Sequence, residues 1–138
     1  MQRLAAACVL GAALLVPAIA SCTSDSSTAR YCDLVKVAEA GVDPLGDPSV
    51  LSDPARLKAA LLARVDTYSQ LANRAPSSVK ADATKVRDAL ITLNNALAKQ
   101  QYQSAAANTD PAVVGVIGDQ SVKDAQARLQ SFNGTTCR

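Results

Sequence analysis

Three features of this 138-residue chain predict an all-α fold, a single up-down-up-down four-helix bundle closed by a disulfide. Apolar residues recur at steps of three and four through four segments, the spacing of one helix face. No stretch shows the period of two that a half-buried strand requires. Cys32 and Cys137 stand near the two ends of the folded part, and an even number of helices returns the chain to the end where it began.

The N-terminus precedes this domain and is of a different kind. Met1-Gln2-Arg3 is basic, an apolar run extends from Leu4 to Ala20, and small residues close it. Basic, then apolar, then small is the order of a secretory signal. A membrane-spanning helix needs about 20 apolar residues. Here Gly11 and Pro17 interrupt the run and no basic stop-transfer cluster follows. Ile19-Ala20-Ser21-Cys22 resembles the bacterial lipobox, which implies diacylglycerol on the Cys22 sulfur and cleavage just before it. Two acyl chains suffice for stable anchoring. The organisation expected is therefore a signal peptide at 1–21, a lipidated tether at 22–29 and a helical domain at 30–138, on the outer face of the cell membrane. Removing 1–21 from 138 residues leaves 117, enough for one core.

Composition narrows the function. The signal takes only Arg3 from 14 basic residues, against 12 acidic, so the mature chain is close to neutral. With one Phe, three Tyr, no Trp and no basic stripe, nucleic-acid binding is not expected. Cys8 leaves with the signal and Cys22 takes lipid, so Cys32 and Cys137 remain. Export into an oxidising compartment makes them a disulfide. A zinc site is disfavoured because the chain has no His.

Each element has its own warrant. The first helix is expected over about 29–40, on Tyr31, Leu34, Val35, Ala38 and Val42, with Gly41 ending it. Breakers at 42–49 predict a loop. Asp53 caps a second helix that opens on Pro54, with a core face of Leu57, Leu61, Val65, Tyr68, Ala72 and Ala75. After Pro76 comes the clearest seam: Val79, Ala83, Val86, Leu90, Leu93 and Leu97, leaving Asp82, Lys85, Asp88 and Lys99 to water. Residues 100–108 are expected to fray. Asp110-Pro111 opens a short apolar piece, and Gly118 and Asp119 interrupt it. The last helix carries Val122, Ala125, Leu129 and Phe132 and is expected to stop at Asn133-Gly134. Asp119–Lys123 and Asp124–Arg128 have the spacing of exposed ion pairs. In the chain-entropy model, cross-linking Cys32 to Cys137 stabilises by up to about 4–5 kcal/mol.

Tyr31-Cys32-Asp33 near the start, Ala75-Pro76-x-x-Val79-Lys80-x-Asp82 in the middle, and a final helix ending in Cys137 resemble small exported lipoproteins of actinobacteria. The resemblance spans the whole mature chain. It implies architecture and location; the group has no assigned activity, so no catalytic residue is carried over. Arg138 stands where that group often has Gly.

Candidate chemistry is sparse. Asp43, Asp47 and Asp53 precede prolines, but they lack the alternate-residue ligands and closing Glu of a calcium loop, so turns and caps are expected. Eleven Asp and the single Glu39 are scattered, there is no His and there is no nucleophile elbow, so no enzyme is expected. Tyr31, Tyr68 and Tyr102 are not read as haem ligands; Tyr31 and Tyr68, on apolar faces, are read as packing residues. Asn133-Gly134-Thr135 matches a glycosylation sequon but is read as a helix end. Val113, Val114, Val116 and Ile117 form the one segment without a polar face. Such a segment is buried as a connecting helix or contacts something apolar. The function expected is a lipid-anchored, non-catalytic interaction or structural module without cofactor or metal. Its partners are the membrane, through lipid on Cys22, and an envelope protein or the cell wall. The alternative is a carrier of an apolar ligand such as a lipid, in a groove near 112–117.

Overall fold

The computed structural model describes residues 26–40 and 46–138. The signal segment, Cys22, and positions 41–45 with Asp43 lie outside those residues. The described chain is helical, with no strand: α1 (Ser26–Ala40), α2 (Pro48–Leu51), α3 (Pro54–Arg74), α4 (Ser77–Lys99), α5 (Ser104–Ala107), α6 (Pro111–Gly118) and α7 (Gln120–Thr136). Four segments are long, at 15, 21, 23 and 17 residues. No helix among the described residues is long and apolar enough to cross a membrane.

Helix starts follow the Asp-Pro rule. Pro48, Pro54 and Pro111 open α2, α3 and α6, where a missing N–H costs nothing. The preceding carboxylates accept backbone hydrogen bonds: Asp47 from Ser49 N at 2.8 Å, Asp53 from Ala55 N at 2.9 Å, and Asp110 from Ala112 N at 2.8 Å. The expected loop at 46–49 thus contains the first residues of a single helical turn. α1 begins at Ser26, ahead of the expected 29, so residues 26–29 of the expected tether are helical.

α4 is the central helix and packs against α3, α6 and α7; α1 lies on α3 and touches α7. Only Ala75 and Pro76 separate α3 from α4, so the two run antiparallel. α7 is also antiparallel to α4. Asp82 meets Arg128 while Lys85, further along α4, donates to Ser121, further back in α7.

Two core clusters result. One joins Tyr31, Val35, Leu71, Ala75, Val79, Ala83, Val86, Ala125 and Leu129 around the disulfide. The other, toward the far end of α4, joins Leu57, Leu61, Ala96, Leu97 and Val113. The α4 seam holds at Val79, Ala83, Val86 and Leu97, while Leu90 and Leu93 are half-buried and Ala96 is buried in addition. On α3, Val65 and Tyr68 are half-buried rather than core, and Ala60 and Leu71 widen the buried stripe, because α3 faces both α4 and α1.

Two helix ends depart from expectation. Residues 100–103 form an ordered turn rather than a frayed end. Gln101 N bonds Ala98 O at 3.1 Å and Tyr102 N bonds Leu97 O at 2.8 Å, the paired bonds of a Schellman cap. Gln101 takes φ 50° and Tyr102 φ 59°, conformations that glycine adopts more cheaply. Tyr102 is retained there because its ring packs on the second cluster and its hydroxyl donates to Asn94 Oδ1 at 3.1 Å. At the other end, α7 runs through Asn133-Gly134 to Thr136, and Cys137 N bonds Asn133 O at 3.0 Å. The disulfide on Cys137 holds that last turn in place.

Candidate functional site

The end of the molecule at the start of α1 is the most elaborated. Cys32 and Cys137 form a disulfide, with their Cα atoms 4.9 Å apart and 105 positions between them in sequence. One residue before Cys32, the Tyr31 hydroxyl donates to Asn133 Oδ1 at 3.0 Å. The Tyr31 ring meets Phe132 edge to face, centroids 6.0 Å apart. Burial pushes the Tyr31 phenol up to about 12; Tyr68 adds to the shift, and the Asn133 hydrogen bond opposes it. Such a phenol is a neutral structural group at physiological pH, held by packing and one hydrogen bond.

A groove of about 760 Å³ lies between α1, α3 and α7. Val35, Leu71 and Leu129 on its wall are buried, while Val37, also on it, is mostly exposed. The Arg64 guanidinium lies 5.6 Å from the centroid of the Tyr68 ring, a cation–π contact at the groove. The volume is that of a small-molecule site, commonly about 300–1,000 Å³. A second hollow of about 500 Å³ lies between α4 and the α6–α7 junction, touched by Asp88, Val116 and Val122.

The apolar segment 112–117 divides into two faces. Val113 is 3% exposed in the second core cluster and Val116 is half-buried. Val114 and Ile117 are 53% and 60% exposed. The segment is therefore neither wholly buried nor part of the large groove: α6 docks one face on α4 and presents the other to water.

The carboxylates are occupied structurally. Backbone N–H groups at helix starts hold Asp47 and Asp110 below the usual carboxylate range, and the Ser121 hydroxyl and N–H do the same for Asp119. Asp119 accepts from Ser121 N at 2.8 Å, so it caps α7 instead of pairing with Lys123. Arg128 does not pair with Asp124 but grips Asp82 with three bonds of 2.7 to 3.1 Å. Asp82, expected in water, has a side chain only 15% exposed, and its hydrogen bond from Arg128 lowers its pKa. Among the described residues no three His, Cys, Asp or Glu side chains converge to hold a metal ion. Asp47 and Asp53 serve as caps on different helices.

Cys32 and Cys137 are the sequence-selected residues that the fold brings together. Ile19, Ala20, Ser21 and Cys22 lie outside the described residues. The Asp82–Arg128 grip and the α1–α3–α7 groove were not legible in the sequence. Their only trace was the pairing of Asp and Arg on polar faces, which local spacing assigned to neighbours in the same helix. No family model, curated protein or solved structure matches this chain. The functional reading therefore rests on its residues and geometry.

Proposed function

We propose that this chain is a lipid-anchored cell-envelope protein, exported by residues 1–21, held to the outer face of the cell membrane through lipid on Cys22, and acting there as a non-catalytic interaction module. The observation that carries the reading is the Cys32–Cys137 disulfide. Structural disulfides persist in oxidising compartments, and the N-terminus reads as an export signal ending in a lipobox. We take the four long helices as one up-down-up-down bundle with α2, α5 and α6 as connections. Supporting that topology are the two-residue α3–α4 link, the antiparallel α4–α7 contacts and the bond between the first and last helices. The exposed pair Val114 and Ile117 is the contact surface we assign to an envelope partner.

The test is in-cell cross-linking from a photoreactive residue at position 114. One dominant cross-linked product, absent when the probe sits at Asp88, is expected. Labelling without a dominant product, or the same product from both positions, refutes the module. Anchoring is tested separately. Cys22→Ala should release the protein from membranes or leave an uncleaved precursor, and unchanged detergent partitioning would count against lipidation. The groove between α1, α3 and α7 favours a second reading, a carrier of an apolar ligand, with the site moved away from 112–117. Stoichiometric lipid in the mass spectrum of the purified protein is the outcome that supports it.

A further inference from the structure

We propose that the end of the domain nearest Cys22 is a docking face for an anionic lipid surface. This rests on the lipid-anchored reading above. Four cations converge there, each next to or two residues from a residue of the disulfide-end core cluster. Arg30 is two residues before Cys32, Arg74 precedes Ala75, Lys80 follows Val79 and Arg138 follows Cys137. All four are exposed, and among the described residues none forms an ion pair. Among the described residues the anions at that level are Asp33, the C-terminal carboxylate and Asp82, and Asp82 is held by Arg128; in the sequence Asp25 adds one more just before α1, against four cations. Cations are therefore in excess.

Among the described residues the opposite end carries no such excess: three anions stand against three cations. Asp47, Asp53 and Asp110 cap helices there, and of its cations Arg56 is paired with Asp53 while Lys58 and Lys99 accompany the second core cluster. Charge is thus graded along the molecule. Its positive end is the one from which the chain leads back to Cys22, four residues before Ser26 and so within about 14 Å of it at full extension. An acyl anchor that short holds the positive end within reach of phosphate headgroups, where each Lys or Arg adds attraction that salt screens. The basic end then sets orientation: it faces the bilayer, and α6 with Val114 and Ile117 points outward.

The test uses residues 22–138 carrying Cys22→Ser, which lack lipid; every buried residue described lies between Tyr31 and Cys137, so the core is intact. Vesicles of phosphatidylcholine alone are compared with vesicles containing phosphatidylglycerol, at low ionic strength. Binding only to the phosphatidylglycerol vesicles, abolished by high salt, is expected. Arg74→Gln with Lys80→Gln should weaken it on the order of tenfold or more, from two lost headgroup attractions. Lys58→Gln with Lys99→Gln removes the same charge from the opposite end and should leave binding within about twofold of the parent, because contact depends on which end faces the lipid. Indifference to phosphatidylglycerol, or equal losses in the two double variants, overturns the proposal. Lipidation is read independently, by detergent partitioning of the unsubstituted protein, so failure of one does not imply failure of the other.

Discussion

Leu61 and Leu62 are adjacent on α3, chemically identical, and opposite in facing. Leu61 is 0% exposed in the second core cluster, beside Leu57, Leu97 and Val113; Leu62 is 46% exposed. Leu→Ala removes three carbons from either. At Leu61 their transfer is worth about 2.4 kcal/mol, at roughly 0.8 kcal/mol for each buried carbon. The hole left between α3, α4 and α6 adds a cavity cost, which brings the expected loss to about 3–4 kcal/mol. Against a typical total of about 5–15 kcal/mol, that is a large fraction. Leu62→Ala should cost under about 1 kcal/mol, since much of that side chain is already in water. Helix propensity is the same at both sites, so it cancels. Urea unfolding of the oxidised protein, followed by far-UV circular dichroism, gives both values from midpoints at a common slope. A Leu61 loss below about 1 kcal/mol, or equal losses at the two positions, would refute the packing of α3 against α4 and α6.

The remaining expectations can be checked on the same purified protein. Reducing Cys32–Cys137 should lower stability by up to about 4–5 kcal/mol, measured as the shift in urea midpoint with and without reductant. Gln101→Gly should raise stability by about 0.5–1 kcal/mol, because glycine takes the left-handed conformation of the Schellman cap without steric cost. Asp82 has a lowered folded pKa, so its contribution is complete above the ordinary value of 3.8 and is lost as pH falls through the folded value. Arg128→Met should flatten that acid limb of the stability profile. Tyr31 has a raised folded pKa, so it favours the folded state fully below pH 10 and loses that contribution as pH climbs toward about 12. Phenolate absorbance should show a component that titrates late, and Tyr31→Phe should remove it.

Much of the fold follows from residues within four positions of one another. The steps of three and four in α3 and α4, the Asp-Pro starts at Asp53 and Asp110, and the break at Asp119 are local chemistry: the helix period, a carboxylate reaching a free N–H, a proline with none to lose. The pairing of Cys32 with Cys137 was legible too, because an expected export signal and an expected even number of long helices pointed the same way. Local reasoning failed where a side chain had two partners of similar worth. Arg128 could bond Asp124 one turn away or Asp82, 46 positions away, and an exposed pair within one helix is worth only about 0.3–0.5 kcal/mol. Asp82 wins because α4 presents it half-shielded and in reach of a multidentate grip. The same competition put Asp119 on the α7 cap, while the disulfide at Cys137 held Gly134 inside a helix and docking on α4 divided 112–117 into a buried and an exposed face. Sequence alone determined that the four long segments are helices and which cysteines close them. Tertiary structure alone decided which neighbour each apolar face meets, because that choice depends on contacts between residues far apart in the chain, which period and capping do not encode.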